Sequence, residues 1–165
     1  MAAKRFVVIF VSRRNSLRSI LAQACLAHLG ADRFSAYSCG HPAHVSDKIH
    51  PAAISALTGT GMQVPQSQPH GWNDMIRGIS PQANFVITLD EATLPFQPNW
   101  PGQPDAALWD FPDIVALDNA EDIDRAALQT LYALRRRLEL LISLPLHGAD
   151  PAAIRSDVRD LAHMQ

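Results

Sequence analysis

An α/β domain built on a parallel sheet is what this sequence predicts, and three features carry the prediction. Residues 5–11 (RFVVIFV) run through β-branched and aromatic side chains without a break, the pattern of a strand buried on both faces. Residues 17–29 then repeat at helical spacing, through Leu17, Ile20, Leu21, Ala24, Cys25 and His28, and stop at Gly30. Further strand-like runs alternate with helical segments down the chain. Parallel strands need such crossovers.

The remaining elements follow in order. Residues 34–38 read as a second strand, and 51–57 as a helix with Pro51 in its first turn, stopped by Gly59 and Gly61. Residues 62–82 hold Pro65, Pro69, Gly71, Gly78 and Pro81, so they read as loop around a short helix at 72–76. Residues 84–89 (NFVITL) form a third strand. A stretch with five prolines follows, from Pro95 to Pro112. The longest helix spans about 123–144, with Leu128, Leu131, Leu134, Leu138, Leu141 and Ile142 in one stripe and Arg135, Arg136 and Arg137 mostly off it. That arginine triplet reads as a solvated face, paired with Glu139 or with the acids near 121–124. Pro145 ends the helix, and 151–163 reads as a short amphipathic one. No segment repeats.

With 165 residues, 47% apolar and 18% charged, the chain reads as one domain, 1–165, with an ordinary core. Its longest apolar run, residues 6–11, is far short of the ~20 needed to cross a bilayer. Lys4 and Arg5 precede that run, but it is too short for a secretory leader and lacks a small-residue cleavage site, so a cytoplasmic protein is expected. Cys25 and Cys39 have no metal-type spacing and read as small buried hydrophobes. Residues 1–31 carry five basic side chains and no acid, whereas 90–124 carry nine acids and no Lys or Arg. This reads either as two solvated faces or as an anion site near the N-terminus with acids facing it. Neither a nucleic-acid nor a membrane partner is expected, the former because the pI is near 6.4. His41, His44 and His50 lack a third ligand at suitable spacing, so no metal and no cofactor is expected. Trp72, Trp100 and Trp109 read as packing for the Pro-rich loop, or as aromatic walls of a site.

Function concentrates between the first strand and the first helix. The segment Ser12, Arg13, Arg14, Asn15, Ser16, Leu17, Arg18 and Ser19 sits where α/β sheets place ligands, at a strand's carboxyl end and a helix's positive end. Successive amides there can form an anion-binding nest, Asn15 suits the left-handed backbone of a tight cradle, and Arg18 offers paired donors to a tetrahedral oxyanion. The competing reading is a plain turn with a serine helix cap.

These residues resemble the phosphate loop of the low-molecular-weight phosphotyrosine phosphatase superfamily, whose arsenate-reductase branch reads roughly C-T-G-N-S-x-R-S. The resemblance extends to Tyr37-Ser38-Cys39-Gly40 and His50-Pro51-Ala52-Ala53, to the strand at 85–89, and to Trp100-Pro101-Gly102-Gln103-Pro104. It continues through Trp109-Asp110-Phe111-Pro112-Asp113 and Leu144-Pro145-Leu146, covering nearly the whole chain. It implies a three-layer fold with four parallel strands in the order 2-1-3-4. It also implies that Asp113 is the acid that protonates the leaving group, with Asp90 and Asp110 as nearby alternatives.

The chain departs from that family at the decisive position. A cysteine opens the family's loop and attacks phosphorus or arsenic as a thiolate; here Ser12 stands there, un-ionised at neutral pH and with no assignable base. Arg13 and Arg14 replace the usual Thr and Gly, so Arg14 is expected to adopt an unfavourable backbone or to reshape the loop. Ile114 replaces the proline after Asp113, and the branch's resolving cysteines have no counterpart, which rejects thiol-relay reduction. The expectation is an impaired homologue that holds phosphate, sulfate, arsenate or a phosphorylated protein on residues 12–19, with a homo-oligomer as a further partner. One alternative is weak phosphomonoester hydrolysis using Ser12, Arg18 and Asp113. The other is an interaction module whose loop is filled by its own Arg13 or Arg14.

Overall fold

The computed structural model describes residues 5–77, 82–146 and 151–163. Four strands, β1 (Phe6–Val11), β2 (Phe34–Cys39), β3 (Phe85–Thr88) and β4 (Asp105–Leu108), form one parallel sheet in the order β2-β1-β3-β4. Five helices accompany them: α1 (Arg18–Gly30), α2 (Pro51–Gly59), α3 (Trp72–Arg77), α4 (Ala120–Ser143) and α5 (Pro151–Asp160). Short 3-10 turns lie at Glu91–Phe96, Ile114–Ala116 and Leu161–His163. Architecture and strand order are those the resemblance implied.

The two-residue period of β1 divides the core. Val8 and Phe10 join the larger cluster with Leu21, Leu26, Leu57, Leu131, Leu134 and Leu138 from α1, α2 and α4. Ile9 and Val11 face the other way, into a smaller cluster with Cys39, Trp72 and Val86. A strand with helices on both faces has no use for polar side chains, hence the unbroken apolar run. In register, Val11 lies beside Cys39 on one flank and Thr88 on the other, so β1, β2 and β3 all end at one edge. The loop after β1 opens there.

Several elements depart from the sequence pattern. β4 (DAAL) was hidden in the Pro-rich stretch, since it has no β-branched residue; its ladder with β3, not its propensity, makes it a strand. α4 begins three residues before the expected Ile123, because the Asn119 side chain accepts from the Glu121 and Asp122 amides and caps it. Leu128 is exposed, and Ala127 and Thr130 occupy the buried face instead. Arg137 is buried, its guanidinium 4.5 Å over the Phe111 ring, so the arginine triplet is not uniformly solvated; Arg135 does pair with Glu139 at 2.9 Å. Trp109 is fully buried and donates from Nε1 to the Val158 carbonyl at 3.0 Å, which is the packing role. Gly78 and Pro81, two of the expected loop residues, lie outside the described residues.

Both cysteines are free and buried. Burial pushes the Cys25 thiol up to about 12 and raises Cys39 as well. Neither is a thiolate at neutral pH. Among the described residues, no helix is long and apolar enough to cross a membrane.

Candidate functional site

Backbone geometry shapes the loop first. Asn15 has φ 51°, the left-handed conformation that its side chain type tolerates. Arg14 is not at positive φ, so the first of its two expected outcomes, an unfavourable backbone, does not occur, and the left-handed residue of the loop is Asn15. The carbonyls of Arg13, Arg14 and Ser16 accept from the amides of His41 (3.0 Å), Ser46 (3.0 Å) and His50 (2.9 Å). With those carbonyls tied to the segment after β2, no group among the described residues accepts from the amides of residues 13–19. Gly40 permits this tie: a Cβ there would sit 2.9 Å from the Arg13 carbonyl oxygen and 3.0 Å from the Asn15 nitrogen. α1 starts at Arg18 with no side-chain cap, so the serine-capped turn is not what forms.

Inside the loop, Ser12 Oγ donates to Ser19 Oγ at 2.7 Å, and Ser12 is buried. Asn15 Nδ2 donates to Ser19 Oγ (2.8 Å) and Ser38 Oγ (2.9 Å), while Asn15 Oδ1 accepts from the His70 amide at 3.1 Å. Ser38 Oγ in turn donates to Gln23 Oε1. The Ser12 hydroxyl thus meets another hydroxyl, and among the described residues no imidazole or carboxylate is bonded to it.

Around this ring lie two arginine–aspartate pairs. Arg18 is buried, donating from Nη1 to the Phe111 carbonyl (2.9 Å) and from Nη2 to Asp90 Oδ2 (2.8 Å). Asp90 also caps the 3-10 turn after β3, accepting from the Ala92 amide. Arg14 reaches Asp113 through Nη1, at 2.9 Å from Oδ1 and 2.7 Å from Oδ2, and Asp113 lies 3.9 Å from Arg18 Nη2. Partial burial pushes the Asp113 carboxyl up, but the Arg14 hydrogen bond and the charges of Arg18 and Arg14 outweigh it and hold it below its ordinary value. Among the described residues Arg13 has no acid partner.

The structure places the eight loop residues at the carboxyl ends of β1, β2 and β3, with Asp113 against Arg14 and 3.9 Å from Arg18. Three contributors were harder to read. Asp90, expected only as an alternative to Asp113, is the partner of Arg18, and Ser38 and Gln23 extend the hydrogen-bond chain behind Asn15. Asp110 instead braces a turn, accepting from the Glu91 amide at 3.0 Å. His50 caps α2 through Nδ1, and His41 packs its ring against Trp72 (4.9 Å), His44 (4.8 Å) and Phe96 (5.3 Å). Desolvation, with Arg13, His41 and Arg14 nearby, lowers the His44 pKa.

The family profile described as low molecular weight phosphotyrosine protein phosphatase matches residues 7–99, more than half the chain and the whole of the loop. The chain belongs to that family. Within it, the chain is 29% identical over 141 residues to the glutaredoxin arsenate reductase of Synechocystis sp. (strain ATCC 27184 / PCC 6803 / Kazusa), covering 82% of this chain and 95% of that one. It also resembles the solved structure of an arsenate reductase in the phosphate binding state, with 25% identity, TM-score 0.63, and 84% and 97% of the two chains covered. The tyrosine phosphatase Wzb from Escherichia coli K30, solved in complex with sulphate, shares the fold at 17% identity and TM-score 0.64, covering 84% of this chain and 99% of its own.

Proposed function

We propose that this member of the low molecular weight phosphatase family binds a phosphate-like oxyanion, free or carried by a phosphorylated cytoplasmic protein, and does not turn it over at the rate of a thiolate enzyme. One observation carries the reading: among the described residues no group accepts from the seven successive amides of residues 13–19, and the hydroxyl of the preceding Ser12 donates to Ser19. The amides and the positive end of α1 favour an anion. The hydroxyl lacks the base it would need to attack one. Asp113, held charged by Arg14, is a poor proton donor for a leaving group, so hydrolysis through Ser12, Arg18 and Asp113 has little support. Self-filling by Arg14 has little too, because its guanidinium turns to Asp113.

The test is thermal denaturation with increasing inorganic phosphate, beside turnover of para-nitrophenyl phosphate. The expected result is a midpoint that climbs with phosphate and no turnover above background. Arg18→Lys keeps a cation beside Asp90 but loses the planar fork, and is expected to abolish most of the shift. Turnover that disappears in Ser12→Ala would favour the enzyme; a midpoint indifferent to phosphate would refute the binder.

A further inference from the structure

Arg14 stands where the resemblance places a residue with no side chain, and its guanidinium is occupied by an acid of the same protein. The manner of that occupation is informative. The strongest arginine–carboxylate pairs use two nitrogens in parallel, whereas here Nη1 alone serves both oxygens of Asp113. Among the described residues, no group accepts from Nε or Nη2 of Arg14. Both side chains are partly open to water, at 29% and 27%, against 5% and 12% for Arg18 and Asp90. Parting the outer pair strands no buried charge, which is what makes parting an inner pair costly. Asp113 would also keep Arg18 at 3.9 Å.

We propose that Arg14 is a ligand-binding residue of the oxyanion site held in reserve by Asp113, an internal competitor that a doubly charged oxyanion displaces. The inference rests on the oxyanion reading above and adds a specificity-determining residue to it. A singly charged ligand offers Arg14 no more than the carboxylate already gives. A phosphate group near −2 offers twice the charge and several oxygens. Arg14 also lines a cleft of about 460 Å³ together with Ser16, Asp47 and Lys48, so one further cation and one acid border that space. Asp113 remains charged at neutral pH, as a competitor must.

Calorimetric titration with inorganic phosphate at pH 8 and low salt tests this in four proteins: wild type, Asp113→Asn, Arg14→Gln and the double variant. Removing the competitor is expected to tighten phosphate binding about tenfold when Arg14 is present, and less than threefold when it is absent. Asp113→Ala serves in the same cycle if the asparagine variant folds poorly, and Arg14→Lys is expected to restore part of the gain. An equal gain in both backgrounds would mean that Asp113 merely repels anions and would overturn the proposal. So would weaker binding in Asp113→Asn, which would make the acid a positioning residue. Absence of phosphate binding in all four proteins would instead bring down the underlying oxyanion reading, and this inference with it.

Discussion

A single nitrogen of Arg14 lies 2.9 and 2.7 Å from the two carboxylate oxygens of Asp113, joining positions 99 residues apart in sequence. The pair closes the loop after β1 against the turn after β4 and helps hold the Asp113 carboxyl below its ordinary value.

The pair gives acid stability a definite sign. Asp113 has a depressed pKa in the folded chain, so its stabilisation is complete above the unfolded value of about 3.9 and is lost as pH falls through the folded one. Being partly exposed, it contributes about 1 kcal/mol or less. Urea midpoints from pH 7 down to 2.5 are expected to fall more steeply below pH 4 in wild type than in Asp113→Asn; parallel curves would contradict the assignment.

Placing sulfur at position 12 separates geometry from chemistry. Ser12→Cys places a thiol beside Ser19 and the amide nest, which favours a thiolate. Turnover of para-nitrophenyl phosphate is expected to be weak, because Asp113 is held charged. Ser12→Cys combined with Arg14→Gly is expected to gain at least tenfold over Ser12→Cys alone.

Asn15 combines a left-handed backbone with three side-chain hydrogen bonds, two buried and one partly buried. Asn15→Gly keeps the backbone and loses the bonds, at about 2–4 kcal/mol. Asn15→Ala adds about 1 kcal/mol of left-handed strain. Urea denaturation should rank them wild type, Gly, Ala; an alanine variant as stable as the glycine one would remove the backbone argument.

Gly40→Ala forces a Cβ against loop backbone at 2.9–3.0 Å. Backbone cannot swing aside as a side-chain tip can, so the loop must shift. Phosphate-dependent stabilisation is expected to drop sharply while the far-ultraviolet dichroism stays native.

Trp109 anchors α5 through the Val158 carbonyl and fills the larger core. Trp109→Ala should cost about 3–5 kcal/mol. Amide exchange in residues 151–160 should rise more than in α1, which the Trp109 side chain does not bond.

How much was legible depends on where each element takes its stability. β1, β2 and β3 are read from alternation and β-branching, and α1 from its helical repeat, because burial of those side chains is their main driving force. β4 could not be read this way: its ladder partner, Thr88 to Leu108, supplies what DAAL lacks. Leu128 fits the α4 stripe by spacing yet lies exposed, since a helix's buried face is set by what packs on it, here α1 and α2.

The sequence alone determined the sheet's buried strand, the residue types from Ser12 to Ser19, the left-handed conformation open to Asn15 and the absence of sulfur at position 12. These are properties of residue type and local spacing. Only the tertiary structure decided that Arg18 pairs with Asp90, that Arg14 takes Asp113, and that Gly40 passes against the loop. Hydrogen bonds and ion pairs between distant segments depend on where the chain crosses the sheet edge, and one-dimensional order does not encode those distances.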